Sequence, residues 1–163
     1  MTATRVPAPG EVPGFGSPRN GARGPSSAVP VRAKLAALWA STMLLFAYGD
    51  LFALFRRDVI DDITNGEVGG FSVDQPFLLA TSVYVAIPAL MVFLCLVMGP
   101  TVGRWTNVVL GSVYVVTIAV SAIGERWAYY LFLSVLEIGL LALVVRYAWS
   151  WPQPAGQSQD SRA

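Results

Sequence analysis

Four apolar runs, each about as long as a bilayer is thick, decide what this chain can fold into. They cover roughly Leu35–Phe55, Phe77–Met98, Trp105–Ile123 and Ala128–Trp149, which is 21, 22, 19 and 22 residues. A helix rises about 1.5 Å per residue, so each run reaches the ~30 Å of a hydrocarbon core. None shows the polar stripe of a soluble-bundle helix. In the first, only Ser41, Thr42, Tyr48 and Asp50 interrupt the apolar sequence. The third is dense in β-branched residues between Val108 and Val120, a pattern that in water favours a strand. In lipid the backbone must satisfy its own hydrogen bonds, and four runs without period-two alternation cannot close a barrel. The expected fold class is all-α, an integral membrane four-helix bundle.

What flanks these runs is different material. The first 30 residues hold six prolines and five glycines and almost no large apolar groups, too little to repay the entropy of ordering. Residues 1–32 are expected to be a disordered cytoplasmic arm, 33–151 the membrane domain, and 152–163 a polar tail. The apolar run near residue 35 starts too late and is too long for a secretory signal.

Composition removes whole classes of chemistry. Charged residues make up 13% of the chain, 11 basic against 10 acidic, so nothing attracts a nucleic acid. Without histidine there is no His-based triad or imidazole metal site. Cys95 alone makes neither an internal disulfide nor a zinc cluster and is expected to be inert packing. No cofactor and no metal site is expected, and no enzymatic activity. The company expected is the lipid bilayer, with a homo-oligomer or a membrane-protein partner.

Basic residues orient the bundle. Arg5, Arg19, Arg23, Arg32, Lys34, Arg104, Arg146 and Arg162 fall on one side, and Arg56, Arg57 and Arg126 on the other. The positive-inside rule then puts both termini in the cytoplasm, in a cell (inner or plasma) membrane. Trp39, Trp105, Trp149 and Trp151 would mark the inner interface, and Trp127, Tyr129 and Tyr130 the outer one. The 56–76 connection, at a net −3, would carry a short interfacial helix on Val59, Ile60 and Ile63, stopped at Asn65-Gly66. Gly69-Gly70 would turn the chain, and Ser72 or Asp74 would cap the second span, with Pro76 in its first turn. Its acids Asp58, Asp61, Asp62, Glu67 and Asp74 fit no cation loop and read as a solvated face. The other connections are short, so spans two and three, and three and four, are expected to be antiparallel neighbours.

Two carboxyls interrupt the spans, and an ionisable group at a helix centre costs about 2.5–3.5 kcal/mol on insertion scales. Asp50 is expected about 7–8 Å and Glu137 about 13–14 Å from the outer face, within one turn in depth. Tyr130 and Ser134 lie seven and three residues before Glu137, on its face of the helix. Asp50, Glu137, Tyr130 and Ser134 therefore form the candidate intramembrane polar site. Removal from water favours a protonated carboxyl, and a second carboxyl nearby favours it further. Three roles stay open: a hydrogen-bonded structural tether, a proton or cation site, and a small-molecule head-group site. Pro88 should kink the second span and free backbone carbonyls.

The order of several short motifs carries a resemblance. They are Lys34-Leu35 with Leu38-Trp39, Tyr48-Gly49-Asp50-Leu51, Gly66-Glu67-Val68-Gly69-Gly70, Ile87-Pro88, Arg104-Trp105-Thr106-Asn107, Tyr129-Tyr130 with Glu137, and Tyr147-Ala148-Trp149. Over residues 33–151 the chain resembles a family of small four-helix bacterial membrane proteins of unknown function, and more loosely the DoxX-like four-helix proteins. The first resemblance implies the four-span fold and no activity. It also implies a glutamate before the Ile-Pro of the second span, where this chain has Ala86. The second implies a membrane subunit of a redox-linked complex. From the residues themselves the functions expected are a non-enzymatic membrane protein with a structural or proton-holding carboxylate pair, or a small proton- or cation-linked transporter.

Overall fold

A computed structural model describes residues 29–151; the arm expected over 1–32 lies almost wholly outside the described residues, as does the 152–163 tail. The chain runs α1 (Val31–Ala53), α2 (Arg57–Thr64), β1 (Glu67–Val68), β2 (Phe71–Ser72), α3 (Gln75–Val97), α4 (Pro100–Ser121) and α5 (Ala128–Trp149). The fold is all-α, and α1, α3, α4 and α5 are each long and apolar enough to cross a membrane. Their outer surfaces leave Leu44, Leu79, Phe93, Val116, Phe132 and Val135 exposed. Apolar surface on that scale suits lipid rather than water.

Local signals set the ends of these elements. The β-branched third run is helical throughout, as α4, and begins five residues before Trp105 because Pro100 takes its first position after Gly99. Asp74, and not Ser72, caps α3: its Oδ1 accepts from the Phe77 N–H at 2.8 Å. The helix α2 ends at Asn65. Beyond it β1 and β2 pair Val68 with Phe71 across Gly69 and Gly70. Both glycines have positive φ, 57° and 83°, which a two-residue turn of this hand requires.

Packing is unequal around the bundle. α1 lies against both α3 and α5, and α5 against α4, while the backbones of α3 and α4 barely approach each other. The two are neighbours joined by side chains, Tyr84 to Thr117, Cys95 to Asn107 and Tyr114 to Tyr84, and residue size sets how far apart their backbones stay. On α4 the buried face is Gly103, Asn107, Gly111, Tyr114 and Ile118, at helical spacing. Its glycines meet α5 and the residues just after it: a Cβ on Gly111 would lie 3.0 Å from Val145, and one on Gly103 3.2 Å from Trp151. Small residues let helices close in lipid. Towards α3 the same helix presents Tyr114 and Asn107, and these hold the pair apart.

Asn107 forms a buried polar knot across three helices. Its Oδ1 accepts from Trp39 Nε1 of α1 at 2.7 Å and from Cys95 Sγ of α3 at 3.3 Å, and its Nδ2 donates to the Gly103 carbonyl at 2.8 Å. Trp39 is fully buried. It belongs to the core and not to the interface row expected for it, because its N–H has an acceptor inside the bundle. At the same end of the molecule Arg32 stacks over Trp151, Lys34 over Tyr147 and Arg104 over Trp149.

Pro88 is buried inside a continuous α3. It has no N–H, so the carbonyl of Tyr84, four residues earlier, has no helical donor. The Tyr114 hydroxyl of α4 donates to that carbonyl at 2.5 Å. The carbonyl freed by Pro88 thus ties α3 to α4. Loss of the hydroxyl in Tyr114→Phe should cost about 1–2 kcal/mol, read as a lower melting temperature in detergent. In a Pro88→Ala background the helix supplies its own donor, and the same substitution should cost less than half as much.

Candidate functional site

The seam between α3 and α4 widens into a cavity of about 540 Å³ at the end that carries α2 and the hairpin. Each long helix gives it one half. The last part of α1 supplies Phe46, Gly49 and Asp50, and the first part of α3 supplies Phe77, Thr81, Tyr84 and Val85. From α4 come Thr117, Ile118 and Ser121, and from α5 Tyr130, Leu133, Ser134 and Glu137. Phe71 of the hairpin stands at its rim, stacked on Phe77 with ring centroids 6.2 Å apart. One turn deeper on α4, below this lining, Tyr114 bonds to the Tyr84 carbonyl.

Asp50, Tyr130, Ser134 and Glu137 all line this one cavity. Their environments differ. Glu137 is 7% exposed, and among the described residues it makes no hydrogen bond or ion pair. Asp50 is exposed, near the end of α1. The expectation of a buried pair is corrected to one buried carboxyl and one at the mouth, because Asp50 is only three residues from the helix end. Tyr48, two residues before Asp50, is not part of the lining.

Most hydroxyls here have already spent their protons. Thr81 donates to the Phe77 carbonyl, Thr117 to that of Tyr114 and Ser121 to that of Ile118, at 2.9 to 3.0 Å. Tyr130 donates to Ser121 Oγ at 3.1 Å. Tyr84 and Thr117 meet at 2.9 Å, and since the Thr117 proton is used, Tyr84 is the donor. The lining holds no lysine or arginine. The cavity wall is therefore aromatic carbon, hydroxyl lone pairs and two carboxyls. Ser134 is the one lining hydroxyl whose proton is uncommitted among the described residues.

An ionic clasp closes the same end of the bundle. Arg56, the N-cap residue of α2, binds Asp58 at 2.6 Å and Glu125 of the α4–α5 connection at 3.1 Å, with its guanidinium 4.8 Å from the Trp127 ring centre. Glu125 also accepts from the Arg126 and Trp127 N–H groups that lead into α5. The Arg56 hydrogen bonds hold the Asp58 carboxyl below its usual value. Burial pushes Glu125 up, but the two backbone N–H bonds and Arg56 outweigh it and leave it lowered. Sequence reasoning missed this clasp, because Arg56 and Glu125 are 69 residues apart. It also missed Tyr84, whose signal was its place four residues before Pro88.

A family of unknown function, DUF6326, matches residues 30–157, and the chain belongs to it. No curated protein and no solved structure matches the chain, so the looser DoxX-like likeness gains no support.

Both clasp carboxyls are lowered in the folded state, so their contribution to stability is present above the unfolded carboxylate value and is lost as pH falls through the folded one. The clasp's contribution to the melting temperature, read as the difference between the parent and Arg56→Gln, should be flat across neutrality and drop in acid, below roughly pH 4. A pH series of thermal melts of the two proteins would show this.

Proposed function

We propose that this protein is a small proton- or cation-linked transporter of the cell membrane, non-enzymatic, with Glu137 as the exchanging group and Asp50 as its partner at the mouth. The observation that carries the reading is Glu137 itself. It is buried within the span of α5 without a hydrogen bond or ion pair among the described residues, yet it lines a cavity. A structural tether would bond to a neighbouring helix, and neither carboxyl does so. Ionisable groups at such depth mark ion and proton paths. Asp50, Tyr130 and Ser134 support it by placing further oxygens around the same space.

The direction of access follows from charge. The cations stacked on Trp151, Tyr147 and Trp149 lie at the end opposite the cavity, and among the described residues Arg146 joins them there, against Arg56, Arg57 and Arg126 at the cavity end. The positive-inside rule therefore supports cytoplasmic termini and a cavity open to the outside. Passage inward requires the seam below the cavity to open, and the Tyr114 bond to the carbonyl freed by Pro88 is the contact that would release. Four helices leave little room for a gated path, and a second copy of the chain is the expected partner.

Proteoliposomes with an internal pH dye test the proposal, given a proton gradient and then Na⁺ and K⁺ gradients. Flux above the protein-free background is expected, with at least a tenfold loss in the Asp50→Asn/Glu137→Gln double variant that still melts cooperatively. Equal background flux from both proteins contradicts transport. Orientation is checked separately: a reporter fused after Ala163 should be active only in the cytoplasm, and an external signal would reverse the access direction.

A further inference from the structure

The cavity is far larger than a proton or a metal ion needs. Its 540 Å³ falls in the range of small-molecule sites, roughly 300–1,000 Å³, against ~30 Å³ for a water. A hard divalent cation takes six to eight oxygens at about 2.3–2.6 Å. Among the described residues no three acidic or cysteine side chains gather to begin such a cage. The occupant must instead fill volume lined largely by carbon.

The polar wall constrains its chemistry further. Five of the six lining hydroxyls, all but Ser134, donate within the protein, so they can only accept from a guest. The carboxylates also accept, and among the described residues no cation pairs with Glu137. A guest that meets Glu137 in its ionised form must supply the positive charge. Aromatic rings stand ready for the apolar body that carries it. Phe46 and Tyr84 are stacked 6.4 Å apart on the wall, and Phe71 and Phe77 6.2 Å apart at the rim.

We propose that the cavity binds an organic ammonium, a cationic nitrogen on an apolar body, with the charge at Glu137 and the body between Phe46, Tyr84 and the Phe71–Phe77 rim. This rests on the exchange role given to Glu137 and names the class of cation that uses it. The hairpin then acts as the aromatic lip of the site, which gives a role to its two-glycine turn. A free amine and the head group of an amine-bearing lipid present the same chemistry.

Binding of benzyltrimethylammonium to the full chain in phosphatidylglycerol nanodiscs, by isothermal titration, tests it. Saturable binding is expected, weakened at least tenfold in Glu137→Gln and severalfold in Phe46→Leu, with 3-phenylpropionate not binding. Each variant is first shown to melt like the parent. Loss of the ammonium signal in phosphatidylethanolamine nanodiscs would identify the lipid head group as the natural source, and its persistence would identify a free amine. Equal binding of the ammonium and the carboxylate, or binding unchanged in Glu137→Gln, overturns the proposal. Proton flux without any ammonium binding overturns it while leaving the transport reading intact. Glu137-dependent binding without flux does the reverse.

Discussion

A carbonyl without a donor is the constraint around which this bundle is arranged. Pro88 withholds the N–H that the Tyr84 carbonyl would receive. In lipid there is no water to take its place, and an unsatisfied group costs several kcal/mol. Tyr114 reaches across from α4 to supply the proton. A tyrosine long enough to do so keeps the two backbones apart, so α3 and α4 cannot close as α4 and α5 do over Gly111. The space left on the far side of that bond is the cavity. One missing hydrogen atom thus sets how these two helices meet below it.

The polarity of the cavity follows from the same rule. Inside a span, serine, threonine and tyrosine protons go first to backbone carbonyls and then to one another. Thr117, Ser121 and Thr81 follow that order, and Tyr84 and Tyr130 donate to what remains. What faces the open space is a surplus of acceptors together with Glu137. Such a surplus is unfavourable when empty and favourable around a proton or a cation, which is why the site reads as exchange rather than support. At the mouth, Arg56 fastens the α1–α2 link to the α4–α5 connection, so the rim is held by charges that lie outside the spans.

Much of this was legible in the sequence, and the residues show where legibility stops. Apolar length alone gave four helices, and Asn65-Gly66, Asp74 and Pro76 gave the punctuation between them. Spacing of three and seven residues put Ser134 and Tyr130 on the Glu137 face, and the cavity contains all three. Connection length could say which helices follow one another, but not how close they come. That depended on Gly103 and Gly111 facing one way and Tyr114 the other. Trp39 looked like an interface residue because tryptophan carries both an apolar ring and an N–H. Only the position of Asn107, 68 residues on, shows that its N–H is satisfied in the core. Depth estimates put Asp50 and Glu137 within a turn of each other and still could not separate a rim carboxyl from a buried one.

The central claim is that Glu137 is an acid in exchange with the outside and not a locked tether. Infrared difference spectroscopy across a pH series on the folded, full-length protein measures this directly, with Glu137→Gln assigning the carboxyl band. The account predicts a Glu137 C=O band that converts reversibly to carboxylate within the pH range where the protein stays folded. A band that stays unchanged over that whole range would contradict it.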